Sequence, residues 1–400
     1  MPLLLSAAII LSGAALLNNG TTPPAPTASA MAEMQEITVA DTMPSAVTAT
    51  AAEPQVGASG ALVMDAETGC VLWDQNGYEL LSPASTTKIL TALVTLDMDA
   101  LAEETTISSG AAAVGESSAH LQAGEVFTVE NLLKGALVKS ANDTCYALGE
   151  AVAGSEPLFV NWMEIKAQAL GAYDAELANT NGLPAENHYL SAYDLALIAR
   201  ANLQKTLFRE IVSSQHINME GGNYTRSFKN TNKLLFSNPY VIGIKTGTTD
   251  AAGACLVSAM ERDGRTVIAV VLHSPDRYGE SLRLLNYGID NFRNISYITR
   301  GERAGYYPLG KNGKSGVFAL AAGNGLITLP ADSVENLHTE YRWKSPSSSV
   351  SAGETLGTMV LKQGEQELQY INLTAEESAT SDSPLHLWEK LKSALKRIFV

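Results

Sequence analysis

The sequence predicts a fold of the α+β type within the broad α/β class: one antiparallel sheet covered by helices, followed by a small all-β domain. Apolar strand-like runs occur at both ends of the region from residue 57 to 293, and helical patterns lie between them, an order typical of one sheet covered by helices. After about Asn294 the composition changes to short apolar runs separated by Gly, Pro, Asn and Ser, which is typical of short strands joined by turns. A chain of 400 residues has room for two domains.

The elements follow from local patterns. Apolar runs on both sides of Ala66–Gly69 predict a hairpin, with Gly69 at its turn. Helical spacing predicts helices over 83–96, 128–137, 142–152, 156–170, 191–207 and 281–292. Pro83 suits a helix start, and Ser191 with Asp194 forms a capping-box-like start. Runs rich in Val, Ile, Leu and Ala predict strands over 61–65, 70–73, 240–244, 254–260, 266–273, 317–320, 326–329 and 358–361.

The two ends of the chain indicate export and attachment to a membrane. Leu3–Leu17 has the length of a signal-peptide core and precedes a possible cleavage site at Ala28–Ala30, although no Lys or Arg stands before it. The other interpretation is a buried N-terminal helix. Leu385–Val400 is a basic amphipathic pattern with Trp388 and Phe399 on its apolar face, which suits the outer face of the cytoplasmic membrane, or else packing on its own domain.

The predicted organisation has six parts. They are a signal peptide (1–30), a linker (31–56), the larger domain (57–293), the all-β domain (294–373), a second linker (374–384) and the anchor helix (385–400).

Charge and cysteine content exclude several classes of function. The chain has 27 Lys and Arg against 42 Asp and Glu, a formal net charge of −15, which disfavours nucleic acid as a partner because phosphate binding needs clustered cations. Cys70, Cys145 and Cys255 lack metal-ligand spacing. They are interpreted as small buried residues, and a disulfide between two of them is left open.

The first chemical motif is Ser85-Thr86-Thr87-Lys88. Residues three apart on a helix share a face, so Lys88, if desolvated, has a lowered pKa and can take the proton of the Ser85 hydroxyl. The backbone N–H of Ser85 near a helix N-terminus can stabilise an oxyanion. Ser393 and Lys396 match the same pattern, but are interpreted as a solvated helix face.

Two further motifs follow. In Ser140-Ala141-Asn142, the serine can relay a proton and the amide can bind a substrate carbonyl, although an N-cap serine is the simpler interpretation. In Lys245-Thr246-Gly247, a cation and a hydroxyl on a strand edge suit a carboxylate, and Gly247 lets a peptide lie close. Lys314-Ser315-Gly316 also fits this pattern, but is interpreted as a turn.

Together the three motifs match the set of penicillin-binding proteins and β-lactamases. The chain resembles the low-molecular-mass penicillin-binding proteins, specifically the D-alanyl-D-alanine carboxypeptidases, over about Gly57 to Phe292 and more loosely beyond. The stretches that carry the resemblance are 81–88, 137–144, 179–183 and 243–249. The resemblance implies a β-lactamase/transpeptidase-like fold and a serine carboxypeptidase that removes terminal D-alanine from peptidoglycan stem peptides and is inhibited by β-lactams.

The resemblance also implies roles for individual residues. Ser85 would be acylated with Lys88 as its base, and Ser140 and Asn142 would face the cleft. Lys245 and Thr246, beside Gly247, would bind the substrate carboxylate, and the N–H groups of Ser85 and Thr248 would form the oxyanion hole. No metal or organic cofactor is needed.

The chain departs from the family pattern in two places, and other functions stay open. Relatives often have an Arg where this chain has Asn230–Lys233, and Arg277 is a possible substitute or a surface residue; some relatives have His at the position of Thr248. A D,D-endopeptidase is the main alternative. A β-lactamase fits less well because Ala141 replaces the usual Asp, and a dead wall-binding scaffold conflicts with the intact motifs. His120, His188, His216 and His273 are interpreted as structural or surface residues.

Overall fold

The computed structural model describes residues 51–310 and 315–381. Up to Asn291, the strands and helices in chain order are β1 (Gly60–Asp65), β2 (Val71–Gln75), α1 (Lys88–Asp97), β3 (Glu104–Thr106), α2 (Ser109–Ala112), β4 (Val126–Thr128), α3 (Val129–Lys134), α4 (Asn142–Ala153), α5 (Glu156–Ala169), α6 (Ala192–Asn202), α7 (Thr206–Ser213), β5 (His216–Met219), β6 (Arg226–Lys229), α8 (Leu234–Ser237), β7 (Val241–Thr249), β8 (Gly253–Arg262), β9 (Arg265–Leu272) and α9 (Arg277–Asn291). A 3₁₀ turn, Ala84–Thr87, precedes α1, and a π-helical turn, Gly135–Lys139, follows α3.

One five-stranded sheet organises this part of the chain. Its strand order is β2-β1-β9-β8-β7, and all of its pairs are antiparallel. The central strand β9 is apolar along nearly its whole length because both of its faces are covered. Ile268, Val270 and Leu272 pack in the core under α1, α4, α5 and α6, whereas the alternate residues pack against α9. The predicted fold class is confirmed, and β7 forms an open edge of the sheet.

Some predicted helices differ from the observed ones. The helix expected over 191–207 is two helices, α6 and α7, separated by a short turn at Leu203–Lys205. The last helix begins at Arg277 rather than Ser281 because the Asp276 side chain caps it by accepting from the Gly279 N–H. The capping box of α6 is confirmed, with both hydrogen bonds between Ser191 and Asp194 formed.

The rest of the described chain is all β. Its strands are β10 (Phe292–Ile298), β11 (Arg303–Leu309), β12 (Ser315–Ala321), β13 (Gly325–Pro330), β14 (Leu337–Trp343), β15 (Ser349–Val350), β16 (Thr355–Gln363), β17 (Gln366–Ala375) and β18 (Ala379–Thr380). A five-stranded sheet of order β11-β12-β17-β16-β14 forms most of it, and β10 pairs with β13. The interpretation of Ser315 and Gly316 as a turn is wrong, since both pair with β11 at the start of β12.

Partly buried hydrogen bonds join the all-β part to the sheet of the larger part. Asp65, fully buried at the end of β1, accepts from Asn294 Nδ2 at 3.2 Å and forms an ion pair with Arg265 at 2.9 Å. Thr68 Oγ1 lies 2.6 Å from Thr328 Oγ1 on β13. A buried carboxylate needs such partners. The turn from Asp65 to Thr68 therefore fixes the contact between the two parts.

Several predictions concern residues outside the described ranges. The signal peptide, most of the first linker, the last three residues of the second linker, the anchor helix and the Ser393–Lys396 pair all lie there. The described part of the second linker, residues 374–381, instead contains the end of β17 and the short strand β18. Among residues 51–310 and 315–381, no helix combines the length and hydropathy needed to cross a bilayer. The three cysteines are free thiols; Cys145 and Cys255 are buried as predicted, whereas Cys70 is half-buried.

Candidate active site

The Ser85 side chain stands at the start of α1, on the 3₁₀ turn that Pro83 introduces. The Thr86 and Thr87 hydroxyls fasten this turn by donating to Pro83 O (2.6 Å) and Ala84 O (2.9 Å). Ala84 adopts a left-handed φ of 48°, which is uncommon for a residue other than glycine. The turn therefore holds Ser85 half-exposed at the mouth of the site, as the predicted helix start implied.

Lys88 is one turn further along and is completely buried. Its Nζ lies 2.8 Å from Ser85 Oγ, 2.8 Å from Asn142 Oδ1 and 2.6 Å from the Asn181 carbonyl oxygen. Burial lowers the pKa of Lys88 to about 8, and the weaker effects of Cys145, Asp143 and Glu116 act in the opposite direction. A substantial share of Lys88 is therefore neutral near pH 8, when Nζ has a lone pair for the Ser85 proton.

The second motif forms the far wall of the site. Ser140 has a left-handed φ of 66° and ends the π-helical turn, and the N-cap of α4 is Ala141; the interpretation of Ser140 as an N-cap is therefore wrong. Asn142 begins α4 and is buried. Its Oδ1 accepts from Lys88, and its Nδ2 donates to Gly115 O at 3.0 Å. The structure thus brings the first and second motifs into direct contact.

A segment to which the sequence assigned no role completes the Lys88 environment. The Asn179 side chain accepts from the Gly182 N–H at 2.7 Å and so orients the Asn181 carbonyl that Lys88 contacts. Gly182 has a φ of +86°, and a Cβ there would lie 1.9 Å from Ala84 O. Only glycine fits so close to the turn that carries Ser85. The resemblance singled out residues 179–183, but nothing in their spacing indicated this contact.

The third motif lies on the open edge of the sheet. Gly247 on β7 passes so near the Ser85 turn that a Cβ there would lie 3.0 Å from Ser85 N. Lys245 is buried, and its Nζ donates to Thr246 O at 3.0 Å. Burial, then Lys88, lowers the pKa of Lys245 well below its usual value. All three motifs therefore meet in one cleft between β7 and the start of α1.

Arg277 reaches this strand edge from the start of α9. Its Nη1 donates to Gly247 O at 2.8 Å and to Thr248 Oγ1 at 2.7 Å. Within the stretch Asn230–Lys233, where relatives often have an Arg, Thr231 Oγ1 lies 2.7 Å from Thr246 Oγ1. Tyr278, next to Arg277, donates to Thr231 O at 3.2 Å. The structure thus places the Arg277 guanidinium at the third motif.

The histidines lie apart from the reacting groups. His188 is buried, with Nδ1 accepting from the Ala178 N–H at 3.0 Å and Nε2 lying 2.9 Å from Thr87 Oγ1. Burial, with Lys88 adding to the effect, lowers the pKa of His188 to about 4, so it is a neutral link at physiological pH. His120, His216 and His273 are exposed. These positions agree with the interpretation as structural and surface residues.

Comparisons with known proteins identify the family to which this fold belongs. The model of the D-alanyl-D-alanine carboxypeptidase family, peptidase family S11, matches residues 47–276, and the model of the penicillin-binding protein 5 C-terminal domain matches residues 292–381. D-alanyl-D-alanine carboxypeptidase DacF of Bacillus subtilis is 31% identical, with 80% of this chain and 85% of the relative covered. DacC of Escherichia coli is 31% identical, with 76% and 80% covered.

Solved structures give the same result. Penicillin-binding protein 5 of Haemophilus influenzae superposes with a TM-score of 0.75 at 26% identity, over 82% of this chain and 99% of that chain. The fold and its two parts are those of a low-molecular-mass penicillin-binding protein. The chain belongs to the D-alanyl-D-alanine carboxypeptidase family and is a serine peptidase, so the resemblance seen in the sequence is confirmed.

Proposed function

We propose that Ser85 carries the D-Ala-D-Ala carboxypeptidase reaction through an acyl-enzyme. Neutral Lys88 takes the Ser85 proton as Oγ attacks the carbonyl of the penultimate D-alanine. The peptide bond then breaks, the proton passes to the amine of the terminal D-alanine, and that residue leaves. Water hydrolyses the ester and regenerates Ser85. The observation that carries the proposal is the 2.8 Å contact between Ser85 Oγ and the buried Lys88 Nζ.

Two backbone N–H groups supply the proposed oxyanion hole, those of Ser85 and Thr248. The strand segment Gly247–Thr248 runs beside the Ser85 turn. The two backbones are so close there that a Cβ at Gly247 would lie 3.0 Å from Ser85 N. Fixed donors aimed at the developing charge need no reorganisation during the reaction. The open edge of β7 then pairs with the substrate backbone as an added strand.

The proposed substrate contacts divide the cleft into two ends. Lys245, Thr246, Thr248 and Arg277 bind the terminal carboxylate, since they place a guanidinium, a lysine amino group and two hydroxyls at one strand edge. At the other end, Asn142 binds a substrate carbonyl. Its carboxamide has two N–H groups; one donates to Gly115 O, and we assign the other to the substrate. We assign Ser140 the role of proton relay, because it is buried and lies two residues before Asn142 in the same wall of the site.

We also propose export and attachment to the outer face of the cytoplasmic membrane, with the division of the chain into the six parts given above, except that β18 extends the all-β part to Thr380. Family members that trim peptidoglycan need access to the wall, and the amphipathic pattern of 385–400 fits a membrane interface. Deleting residues 385–400 is expected to move the exported protein from the membrane fraction to the soluble one. Sedimentation of the truncated protein with membranes would contradict the anchor.

The test of the function joins two measurements on the intact protein. D-alanine release from diacyl-Lys-D-Ala-D-Ala is expected, and mass spectrometry is expected to find penicillin bound to the peptide that contains Ser85. Labelling at Ser85 without D-alanine release would favour the D,D-endopeptidase, which needs a cross-linked substrate. Absence of both would reject the proposal.

A further inference from the structure

The segment Gly115–Leu121 is a rigid rim of the cleft. Ser117 O accepts from the Asn142 backbone N–H at 2.7 Å, and Gly115 O accepts from the Asn142 side chain at 3.0 Å. The Asp143 carboxylate accepts from the Ser118 hydroxyl at 2.6 Å and from the backbone N–H groups of Ala119 and Leu121 at 3.0 and 3.1 Å. These bonds fix the rim to the start of α4, next to Lys88.

Glu116 stands between the two carbonyls that Asn142 holds. Its φ of 61° is left-handed, a conformation that glutamate rarely adopts, and its side chain is exposed. Since the residues on both sides are anchored to Asn142, the position of the Glu116 backbone relative to Ser85 and Lys88 is fixed. Glu116 is therefore an acidic residue held at the rim of the cleft.

The Glu116 carboxylate is exposed at the rim and acts electrostatically on the site. Among the described residues, no ammonium or guanidinium group forms an ion pair with the Glu116 carboxylate within 4.0 Å. The carboxylate nevertheless acts on the buried Lys88, whose pKa is lowered by burial and is raised in part by Glu116. Glu116 is therefore available to a cation brought by the substrate.

The two ends of the cleft carry opposite charge. Arg277 and Lys245 stand at the strand edge proposed for the terminal carboxylate, whereas Glu116 stands beside Asn142, at the end proposed for the acyl part of the substrate. A peptide bound between them has its C-terminus at the cationic end. The side chain that precedes D-Ala-D-Ala then extends toward the acidic end.

We propose that Glu116 is a specificity-determining residue, favouring stem peptides whose side chain before D-Ala-D-Ala ends in a free ammonium over those in which this amine is acylated. The proposal rests on the function proposed above and names its substrate class. An amine that has been acylated in a cross-link has lost its positive charge. The enzyme therefore acts preferentially on stem peptides whose side-chain amine has not yet been acylated in a cross-link.

The test compares two peptides that differ only in this charge. They are Nα-acetyl-Lys-D-Ala-D-Ala and its Nα,Nε-diacetyl form, with kcat/KM measured at pH 7 for the intact protein and for Glu116→Gln. Gln keeps the size and backbone conformation of Glu but removes the charge. Exposed ion pairs of this kind suggest a preference of about three- to fivefold for the free amine, which is expected to fall to about one in the variant.

Controls separate this effect from general damage. The ratio between the two peptides cancels any effect of Glu116 on Lys88, which is common to both substrates. Glu104→Gln removes an exposed carboxylate on β3 and is expected to leave the ratio unchanged, and added salt is expected to reduce it in the wild type. Equal kcat/KM values in the wild type, or a preference that survives Glu116→Gln, would overturn the inference. Hydrolysis of neither peptide would instead count against the proposed function.

Discussion

Replacing Ser85 by alanine is expected to reduce kcat/KM for D-alanine release by roughly 10⁴-fold or more, the usual cost of losing a covalent nucleophile. Labelling by penicillin is expected to vanish as well, because both reactions form an ester at Oγ. Lys88 keeps its contacts with Asn142 Oδ1 and Asn181 O, so the fold is expected to persist. D-alanine release is measured by a coupled assay, and labelling by intact-protein mass.

A control substitution of another serine distinguishes loss of the nucleophile from a general effect of replacing serine by alanine. Ser109→Ala removes an exposed hydroxyl on α2 and is expected to change neither rate nor labelling. Circular dichroism should show the same unfolding temperature for both variants within a few degrees. D-alanine release by Ser85→Ala at more than a few per cent of the wild-type rate would show that the nucleophile has been misassigned.

Replacing Lys88 by methionine is expected to lower the rate of acylation by roughly 10³- to 10⁴-fold. General-base catalysis contributes about 10²- to 10⁴-fold, and methionine also leaves Asn142 Oδ1 and Asn181 O without a donor. Stopped-flow acylation by a chromogenic β-lactam measures the rate. Lys134→Met, which removes a lysine that pairs with Glu130 on α3, is expected to acylate at the wild-type rate.

The proton on Lys88 gives this prediction a pH dependence. The neutral form is the base, so the acylation rate is expected to rise with pH through about 8, the pKa that burial gives Lys88, and to level off above it. Lys88→Arg keeps a cation that does not lose its proton in this range and is expected to be as slow as Lys88→Met at every pH. A wild-type rate that is independent of pH between 6 and 9 would remove Lys88 from the role of base.

The fold class and the residue types of the site could be predicted from the amino-acid sequence. Alternating and continuous apolar runs predicted the strands of the central sheet, because their side-chain periodicity is local. The Ser85 and Lys88 pair was predictable for the same reason, because residues three positions apart on a helix share a face. The second motif contains an amide suited to a substrate carbonyl, and the third contains a lysine and a hydroxyl suited to a carboxylate.

How these groups contact one another depends on packing between segments that are distant in the chain. Lys88 becomes a base because other segments bury it, and its third partner, the Asn181 carbonyl, comes from a backbone atom 93 residues away. Arg277 reaches Thr248 only because α9 starts beside the sheet edge, and Glu116 reaches the rim only because Asn142 holds its neighbours. Local patterns record periodicity and residue type. They do not record which distant segments pack together, and desolvation and electrostatic coupling depend on that packing.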